Sequence, residues 1–347
     1  MASKKKLLQA AAGSAGGAGL DVDEVFSTYL YTGNGTDNRA INNVIDLSGE
    51  GGMVWIKNRD FAFDHLICDT ERGITKGIRS NSTVPENNFS DRIKTVTSTG
   101  FTIGTADEIN SSNTGYTGSL MDYVSWTFRK APKFFDVVTY SGTGSAQNIS
   151  HSLGSVPGMI LVKRTDSTAN WNVYHRGLNG GTNPEQYGIN LNTTGAEFSS
   201  SGYWNNTAPT STQFTVGTSS NANASGGSYV AYIFAHNNDD GGFGEPEDQD
   251  IIKCDKIDST SDDIVNVTLG FEPQFIMIKK SSTTGDWQVF DNMRGMPHGT
   301  DDQILAWNTN DAESNSNRIK INPDGFTASG FGTNTDYIYM AIRRGGM

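Results

Sequence analysis

Short apolar stretches separated by polar, glycine- and asparagine-rich segments follow one another along the 347-residue chain. The clearest, YVSWTFRK at 123–130, alternates between two sets of side chains. Val124, Trp126 and Phe128 fall on one side, and the residues between them fall on the other. A period of two is typical of a β-strand with two different faces. The pattern therefore predicts a chain of short β-strands, and long helical patterns are absent from it.

An apolar stretch that ends in lysine occurs three times. It reads GMVWIKNRD at 52–60, GMILVKRTD at 158–166 and QFIMIKKSS at 274–282. The length and the Met, Ile and Val content predict a strand that is buried on both faces. Lys57, Lys163 and Lys279 occupy the same place in the three copies. The simplest interpretation is that each lysine marks the point where the strand leaves the core.

A second landmark follows each lysine: a short alternating strand and then Arg-Gly. It reads HLICDTERG at 65–73, WNVYHRG at 171–177 and WQVFDNMRG at 287–295. The three glycines, Gly73, Gly177 and Gly295, predict a turn with positive φ. The arginines before them are expected to bond carbonyls or a carboxylate. Trp171 and Trp287 match each other, with His65 in the first copy, and we expect core packing here rather than a ligand platform.

A third landmark closes each copy and sets the period of the repeat. A phenylalanine strand (99–105, 212–218 and 324–330) precedes a terminal strand (123–130, 229–236 and 337–344). The period is about 110 residues, which suits a small domain rather than a solenoid unit. The sequence thus predicts an all-β protein of three tandem β-sandwich modules of jelly-roll or lectin-like type. The predicted boundaries are an arm at 1–24 and modules at 25–133, 134–247 and 248–347.

Charge and cysteine content narrow the classes of function. A net charge of −12 disfavours nucleic-acid binding, because acidic chains repel phosphate backbones. Two cysteines, Cys68 and Cys254, are too few for a disulfide framework and are predicted to be free thiols. No apolar stretch is long enough for a membrane helix, so no membrane insertion is expected. The basic start of the chain lacks the apolar core of a signal peptide.

Signatures of catalysis are missing from the sequence. No G-x-S-x-G, H-E-x-x-H, Walker or C-x-x-C motif is present, and the five histidines are scattered. What repeats between the copies is apolar strands and turn residues, whereas a triplicated active site would repeat its polar residues. We therefore predict no catalytic residues, no cofactor and no metal site. The acidic segment at 237–250 could alternatively hold calcium through its carboxylates, although a solvated linker is the favoured interpretation.

One loop carries candidate recognition residues. The segment SSSGYWNNTAPTST at 199–212 contains Tyr203, Trp204, Asn205 and Asn206. Aromatic faces beside amides suit stacking on a sugar and hydrogen bonding to it, and loops on a rigid β scaffold often carry binding residues. The alternative is that Trp204 closes the core of the second module. The loops at 109–119 and 310–318 are interpreted as exposed variable tips.

Several stretches resemble a repeated domain of virion proteins from marine tailed phages, especially cyanophages. They include VFSTYLYTGNGT and SWTFRKAPKFFDVVTYSGTG in the first module, VPGMILVKRTDSTANWNVYHRGL in the second and GFEPQFIMIKK in the third. The resemblance extends from about residue 21 to the end of the chain. It implies a structural virion protein, tail-fibre-like or host-recognising, that assembles in the host cytoplasm. It carries no catalytic motif.

The resemblance also suggests a role for the arm and a set of partners. The basic start, with Lys4, Lys5, Lys6, Leu7 and Leu8, is expected to anchor the protein to other virion proteins. A homotrimer is expected by analogy with phage fibres. The expected host partner is a surface glycan or an outer-membrane receptor. The alternatives are a capsid decoration or tail component with no receptor role and, less favoured, a depolymerase of surface polysaccharide.

Overall fold

The computed structural model describes residues 19–244, 246–258, 263–296 and 302–346. Nearly all of its regular structure is antiparallel β-sheet, which confirms the predicted all-β class. The helices are single turns: 3-10 helices at Val22–Glu24, Leu178–Gly181 and Pro184–Gln186, and α1 (Asp107–Asn110), α2 (Ser201–Trp204) and α3 (Ser220–Asn223). The anchoring residues Lys4, Lys5, Lys6, Leu7 and Leu8 lie outside the described residues.

The first module contains nine strands. They are β1 (Phe26–Thr32), β2 (Arg39–Asn42), β3 (Gly52–Asn58), β4 (Leu66–Asp69), β5 (Lys76–Ile78), β6 (Asn87–Asn88), β7 (Ile93–Thr97), β8 (Gly100–Ile103) and β9 (Asp122–Arg129). Six of them form a sheet in the order β1-β9-β3-β4-β5-β6, and β2-β8-β7 form a smaller one. The terminal strand β9 thus lies inside the large sheet, between the opening strand β1 and the apolar strand β3.

The other two modules repeat this order. The second contains β10 (Phe135–Ser141), β11 (Gln147–Ser150), β12 (Pro157–Arg164), β13 (Asn172–His175), β14 (Tyr187–Asn190), β15 (Phe198–Ser199), β16 (Gln213–Val216) and β17 (Ser228–Ala235). The third contains β18 (Ile252–Ile257), β19 (Ile264–Thr268), β20 (Pro273–Lys280), β21 (Trp287–Asp291), β22 (Asp302–Ala306), β23 (Ser314–Ser316), β24 (Ile319–Asn322), β25 (Gly325–Ser329) and β26 (Tyr337–Arg343). Their large sheets run β10-β17-β12-β13-β14-β15 and β18-β26-β20-β21-β22-β23, and their small sheets are β11-β16 and β19-β25-β24.

The two faces of each large sheet serve different cores. Along β3, Val54 and Ile56 point into a local core that the small sheet of the first module covers. Met53 and Trp55 point the other way, into a cluster that contains residues of all three modules. All seven residues of β3 are buried, as the sequence predicted for a strand buried on both faces. Each module is therefore a two-layer sandwich whose inner sheet also packs against its two neighbours.

The shared core is aromatic where the three inner sheets meet. The ring of Phe128 lies 5.4 Å from Phe234 of the second module and 6.4 Å from Phe275 of the third, centroid to centroid. Phe26 lies 5.5 Å from Phe275. Aromatic pairs at such spacings add to the stabilisation from burial. The three modules are consequently parts of one body, not independent domains joined by solvated linkers.

Two local predictions are wrong. The three repeated lysines do not mark an exit from the core, because Lys57 and Lys163 are 0% exposed and Lys279 is 1% exposed. Gly73 and Gly295 have φ of 100° and 104°, but Gly177 has φ of −87°. The second module reaches its glycine two residues earlier than the others, counted from the end of the preceding strand, and turns differently there.

Candidate functional site

The three interfaces between modules, here called the seams, form contacts at equivalent positions of the repeat. Trp171 of the second module donates its indole N–H to the carbonyl of Arg79 in the first, at 2.9 Å. Trp287 of the third donates to the carbonyl of Asn190 in the second, at 3.1 Å. Arg79 and Asn190 occupy equivalent positions, each directly after an isoleucine of the fifth strand of its sheet, so the two seams are related by the repeat. The repeated tryptophans are therefore core residues, as the sequence predicted, and they lie at the interfaces between modules.

The third seam closes the ring of modules, because the first module docks on the third. His65 stands where the other copies have tryptophan, and its Nε2 lies 3.1 Å from the carbonyl of Ala306. Trp55 donates to His65 Nδ1, so Nε2 carries the proton and donates to that carbonyl. Trp307 stacks on Trp55 with ring centroids 4.3 Å apart, and Trp55 also packs on His65 with ring centroids 5.9 Å apart.

Backbone hydrogen bonds at equivalent positions confirm that the ring has an approximate three-fold arrangement. The N–H of Glu86 donates to Thr165, that of Glu197 to Ser281 and that of Glu313 to Arg59, at 2.9, 2.8 and 2.7 Å. In each case the donor follows the fifth strand of one large sheet, and the acceptor follows the lysine of the docked module. One chain thus closes three copies of one interface around a common core.

Each repeated lysine is buried in a seam, where backbone carbonyls accept hydrogen bonds from its ammonium group. Lys163 Nζ lies 3.0 Å from the carbonyl of Thr83, in the neighbouring module, and 2.8 Å from that of Ala169. Lys279 Nζ likewise reaches the carbonyl of Thr194, while Lys57 Nζ bonds carbonyls of its own module. Burial lowers the pKa of each of the three ammonium groups to about 8. These lysines hold loop carbonyls in place at the seams.

The described connections between modules meet at one end of the body, here called the linker pole (residues 19–25, 129–135, 235–244, 246–251 and 343–346). Arg129 N donates to Val25, and the same bond recurs where the other modules start and end. Gly244 N donates to the carbonyl of Leu20 at 3.1 Å, and Lys133 Nζ to that of Asp240 at 2.6 Å. The described chain therefore begins and ends at the same pole.

The other ends of the inner strands carry loops, and in the first module these loops expose aromatic rings. Phe61 and Phe63 follow β3, and Tyr116 lies between α1 and β9. Their centroids are 5.0–5.6 Å apart, and Phe61 and Tyr116 are 37% and 38% exposed. We call these three residues the aromatic patch. It is separated from the linker pole by the length of β3, about 20 Å.

The loop that carries Tyr116 is held by its own hydrogen bonds. The phenol of Tyr116 donates to Asp107 Oδ2 at 3.0 Å, and this bond raises the pKa of the phenol. Ser111 Oγ donates to the other oxygen of Asp107 at 2.6 Å. Asp60 is exposed and precedes Phe61, and its Oδ2 accepts the N–H of Asp122. The carboxylates of Asp60 and Asp107 thus bond groups of the loops that carry the rings.

Comparison with known families covers the whole ring. The model of the family described as "Domain of unknown function (DUF7483)" matches residues 21–344. The chain belongs to this family. The match spans all three modules, so the closed ring corresponds to a single family domain. A search of curated proteins gave no match.

The loop predicted to bind a sugar does not present its aromatic residues to solvent. Tyr203 and Trp204 are 7% and 2% exposed, and Trp204 packs against Tyr174 and Phe214. The aromatic face on which that prediction depends is thus inside the second module, in agreement with the alternative interpretation. Asn205 and Asn206 are exposed in left-handed turn conformations.

Other predicted features lie within the described residues. Cys68 and Cys254 are free and buried, as predicted. The segment at 237–250 is partly ordered into the body, with Phe243 buried and Asp250 accepting N–H groups of its own loop. The part of the chain that the structure describes contains no group of three potential metal ligands. Among these residues, no helix is long and apolar enough to cross a membrane.

A polar groove of about 540 Å³ lies on the seam between the first two modules. Its carboxylates belong to ion pairs: Glu86 with Arg72 and Lys76, and Glu71 with Lys130. Arg72 also donates to the buried carboxylate of Asp69, as the sequence predicted for the arginine before Gly73. The groove is thus built around its own charge pairs, and the aromatic patch is the stronger candidate for an external ligand.

Sequence reasoning missed the aromatic patch, although comparison of the copies contains the signal. Each copy has the same number of residues between its lysine and the next landmark, so the positions align without gaps. The positions of Phe61 and Phe63 are occupied by Ser167 and Ala169 in the second module and by Thr283 and Gly285 in the third.

Proposed function

We propose that this chain is a structural protein of a tailed-phage particle, attached at its linker pole and contacting the host surface with its opposite end. One observation carries the proposal. The described chain begins and ends at one pole, while the exposed rings of Phe61 and Tyr116 lie beyond the other end of the inner strands. The resemblance of the repeated strands to phage virion proteins is the reason for proposing a phage particle as the place of attachment.

The seams suit a structural role in a particle. One body of three modules with a common core needs no second copy to complete its interfaces, and three-fold repetition of hydrogen bonds resists separation of any one module. The arm at the linker pole can then order on a neighbouring virion protein without disturbing the ring. A homotrimer of such rings stays a prediction by analogy with phage fibres.

Truncation of the arm tests the attachment. Removing residues 1–18 retains Leu20, whose carbonyl accepts a bond from Gly244. We expect the truncated protein to fold with unchanged thermal stability but to be absent from purified particles, whereas the full chain is incorporated. Incorporation of the truncated protein at the normal level would contradict the attachment through the arm.

Adsorption tests the contact with the host. Purified full-length protein, labelled with a fluorophore, is expected to bind susceptible cells and to reduce phage adsorption when it is added first. Strains that resist the phage through an altered surface serve as the control. Protein that does not bind susceptible cells at micromolar concentration would overturn the proposed contact.

The three-fold arrangement favours one alternative, a capsid decoration or tail component with no receptor role. A body whose three sectors share the same backbone contacts can seat on a three-fold position of a particle. Particles that lack this protein would then adsorb normally but lose integrity on heating. Normal integrity with impaired adsorption would favour the receptor-binding proposal instead.

A further inference from the structure

The aromatic patch is an addition that the fold does not require. The second and third modules form the same hairpin with Ser167 or Thr283 in place of Phe61. Folding therefore does not require an exposed phenylalanine at this position, because a small polar residue serves in the other two modules. Large apolar side chains that are exposed without a structural need mark binding sites.

An insertion completes the patch in the same module. Residues 111–121 connect α1 to β9, whereas residues 224–227 suffice between α3 and β17 in the second module. The two helices are equivalent, because Tyr123 and Tyr229 donate their hydroxyl protons to Asp107 and Ser220 at the helix starts, both at 2.7 Å. The longer loop places Tyr116 on Phe61 and Phe63.

We propose that the aromatic patch binds a pyranose unit of a surface glycan, which names the ligand class of the host contact and therefore rests on the proposed function. A pyranose presents an apolar C–H face, which packs on an aromatic ring, and hydroxyls around its edge. The exposed faces of Phe61 and Tyr116 offer the ring surface. Asp60 precedes Phe61 in the chain and Asp107 accepts the phenol proton of Tyr116, and their carboxylate oxygens offer acceptors for the hydroxyls.

The geometry disfavours other occupants. The three rings touch one another, with centroids 5.0–5.6 Å apart, so they leave no space between them for an enclosed cation. The exposed parts of Phe61 and Tyr116 together amount to about 150 Å², if a full aromatic side chain offers about 200 Å². A stable protein interface needs about 800 Å² from each partner. The patch has the size of one or two sugar rings.

The test removes one exposed ring of the patch at a time, and Phe61→Ser introduces the residue type that the second module has at this position. Phe61→Ser and Tyr116→Ser remove the rings, and Phe198→Ser is the matched control because Phe198 is 36% exposed in the second module. Full-length proteins are titrated against hexose and N-acetylhexosamine oligosaccharides and against polysaccharide extracted from susceptible host cells. We expect saturable binding of a saccharide by the wild type and the Phe198 variant, weakened at least tenfold in both patch variants.

The outcomes separate this inference from the proposed function. Patch variants that fold but bind saccharide and adsorb to cells like the wild type would overturn the sugar site while leaving the host contact intact. Adsorption that depends on the patch but is removed by protease treatment of the cells, with no saccharide bound, would show a protein receptor and also overturn it. Failure of the wild type to adsorb to cells would overturn the proposed host contact itself.

Discussion

Raising the pH from 7 to 9.5 is expected to stabilise this protein, because three lysines are buried in the seams. Burial lowers the pKa of Lys57, Lys163 and Lys279 to about 8, from an ordinary value of 10.5. At neutral pH each ammonium group is therefore kept charged at a cost of about 3 kcal/mol relative to the unfolded chain.

The sign follows from proton binding in the two states. The pKa of the lysines in the folded protein is below that in the unfolded chain, so between pH 8 and 10.5 unfolding takes up protons. Stability consequently rises with pH in this window. At pH 9 the uptake is roughly 0.9 proton per lysine, so the three lysines together contribute a slope of about 3.6 kcal/mol per pH unit.

Denaturant unfolding followed by tryptophan fluorescence at pH 7, 8, 9 and 9.5 measures the slope. We expect Lys163→Met to reduce it by about 1.2 kcal/mol per pH unit at pH 9, since one of three titrating lysines is removed. Lys320→Met, at an exposed lysine of the third module, is the control. The buried thiols of Cys68 and Cys254 and buried tyrosines such as Tyr232, whose pKa values burial raises, release protons on unfolding at high pH and oppose this slope, so the assay is limited to pH below 10. A free energy of unfolding that stays flat or falls between pH 8 and 9.5 would refute the reasoning.

Three further expectations concern the seams and the closed ring. Trp287→Phe removes the N–H that bonds the Asn190 carbonyl and should lower the free energy of unfolding by about 1–3 kcal/mol, measured by denaturant unfolding. Cys68 and Cys254 are buried, and burial raises the pKa of both thiols, so neither should react with a disulfide reagent at pH 8 until the chain is unfolded. A circular permutant that joins residues 19 and 346 through a short linker and opens the chain at Asp240 should fold, because chain ends and inter-module connections meet at one pole; aggregation of the permutant would argue against that equivalence.

Sequence patterns predicted the strands because each strand carries its own signal. Alternation along 123–129 separates Trp126, which faces the shared core, from Tyr123, which faces the local one. The continuous apolar run at 52–58 predicted a strand buried on both faces, and β3 is such a strand. Period and composition are local properties of the sequence, so they predict local structure such as single strands.

The closed ring could not be predicted in this way, because its contacts join residues that no local pattern relates. Trp126 donates to Asp291, which lies 165 residues further along the chain. The lysines were misread for the same reason. A lysine at the end of an apolar strand is ordinarily solvated, and only the docking of another module buries Lys163 and supplies the Thr83 carbonyl that accepts its proton.

The differences between the seams show how one interface tolerates three chemistries. At two seams a ring on the terminal strand donates to a carboxylate of the neighbouring module: Tyr232 to Asp69 at 2.7 Å, and Trp126 to Asp291 at 3.0 Å. At the third, Met340 occupies the donor position and cannot donate a proton. There the acceptor position holds His175, whose Nδ1 accepts the N–H of Gly177 and whose Nε2 therefore donates to the carbonyl of Tyr339. A buried aspartate facing Met340 would lack the ring donor that its counterparts have, which costs several kcal/mol. Donor and acceptor have thus changed together, and the exchange keeps this buried donor–acceptor pair bonded at every seam while the copies diverge. Because the seam contacts are kept, the loops of each module are free to differ. The first module can therefore carry an aromatic patch that the other two lack.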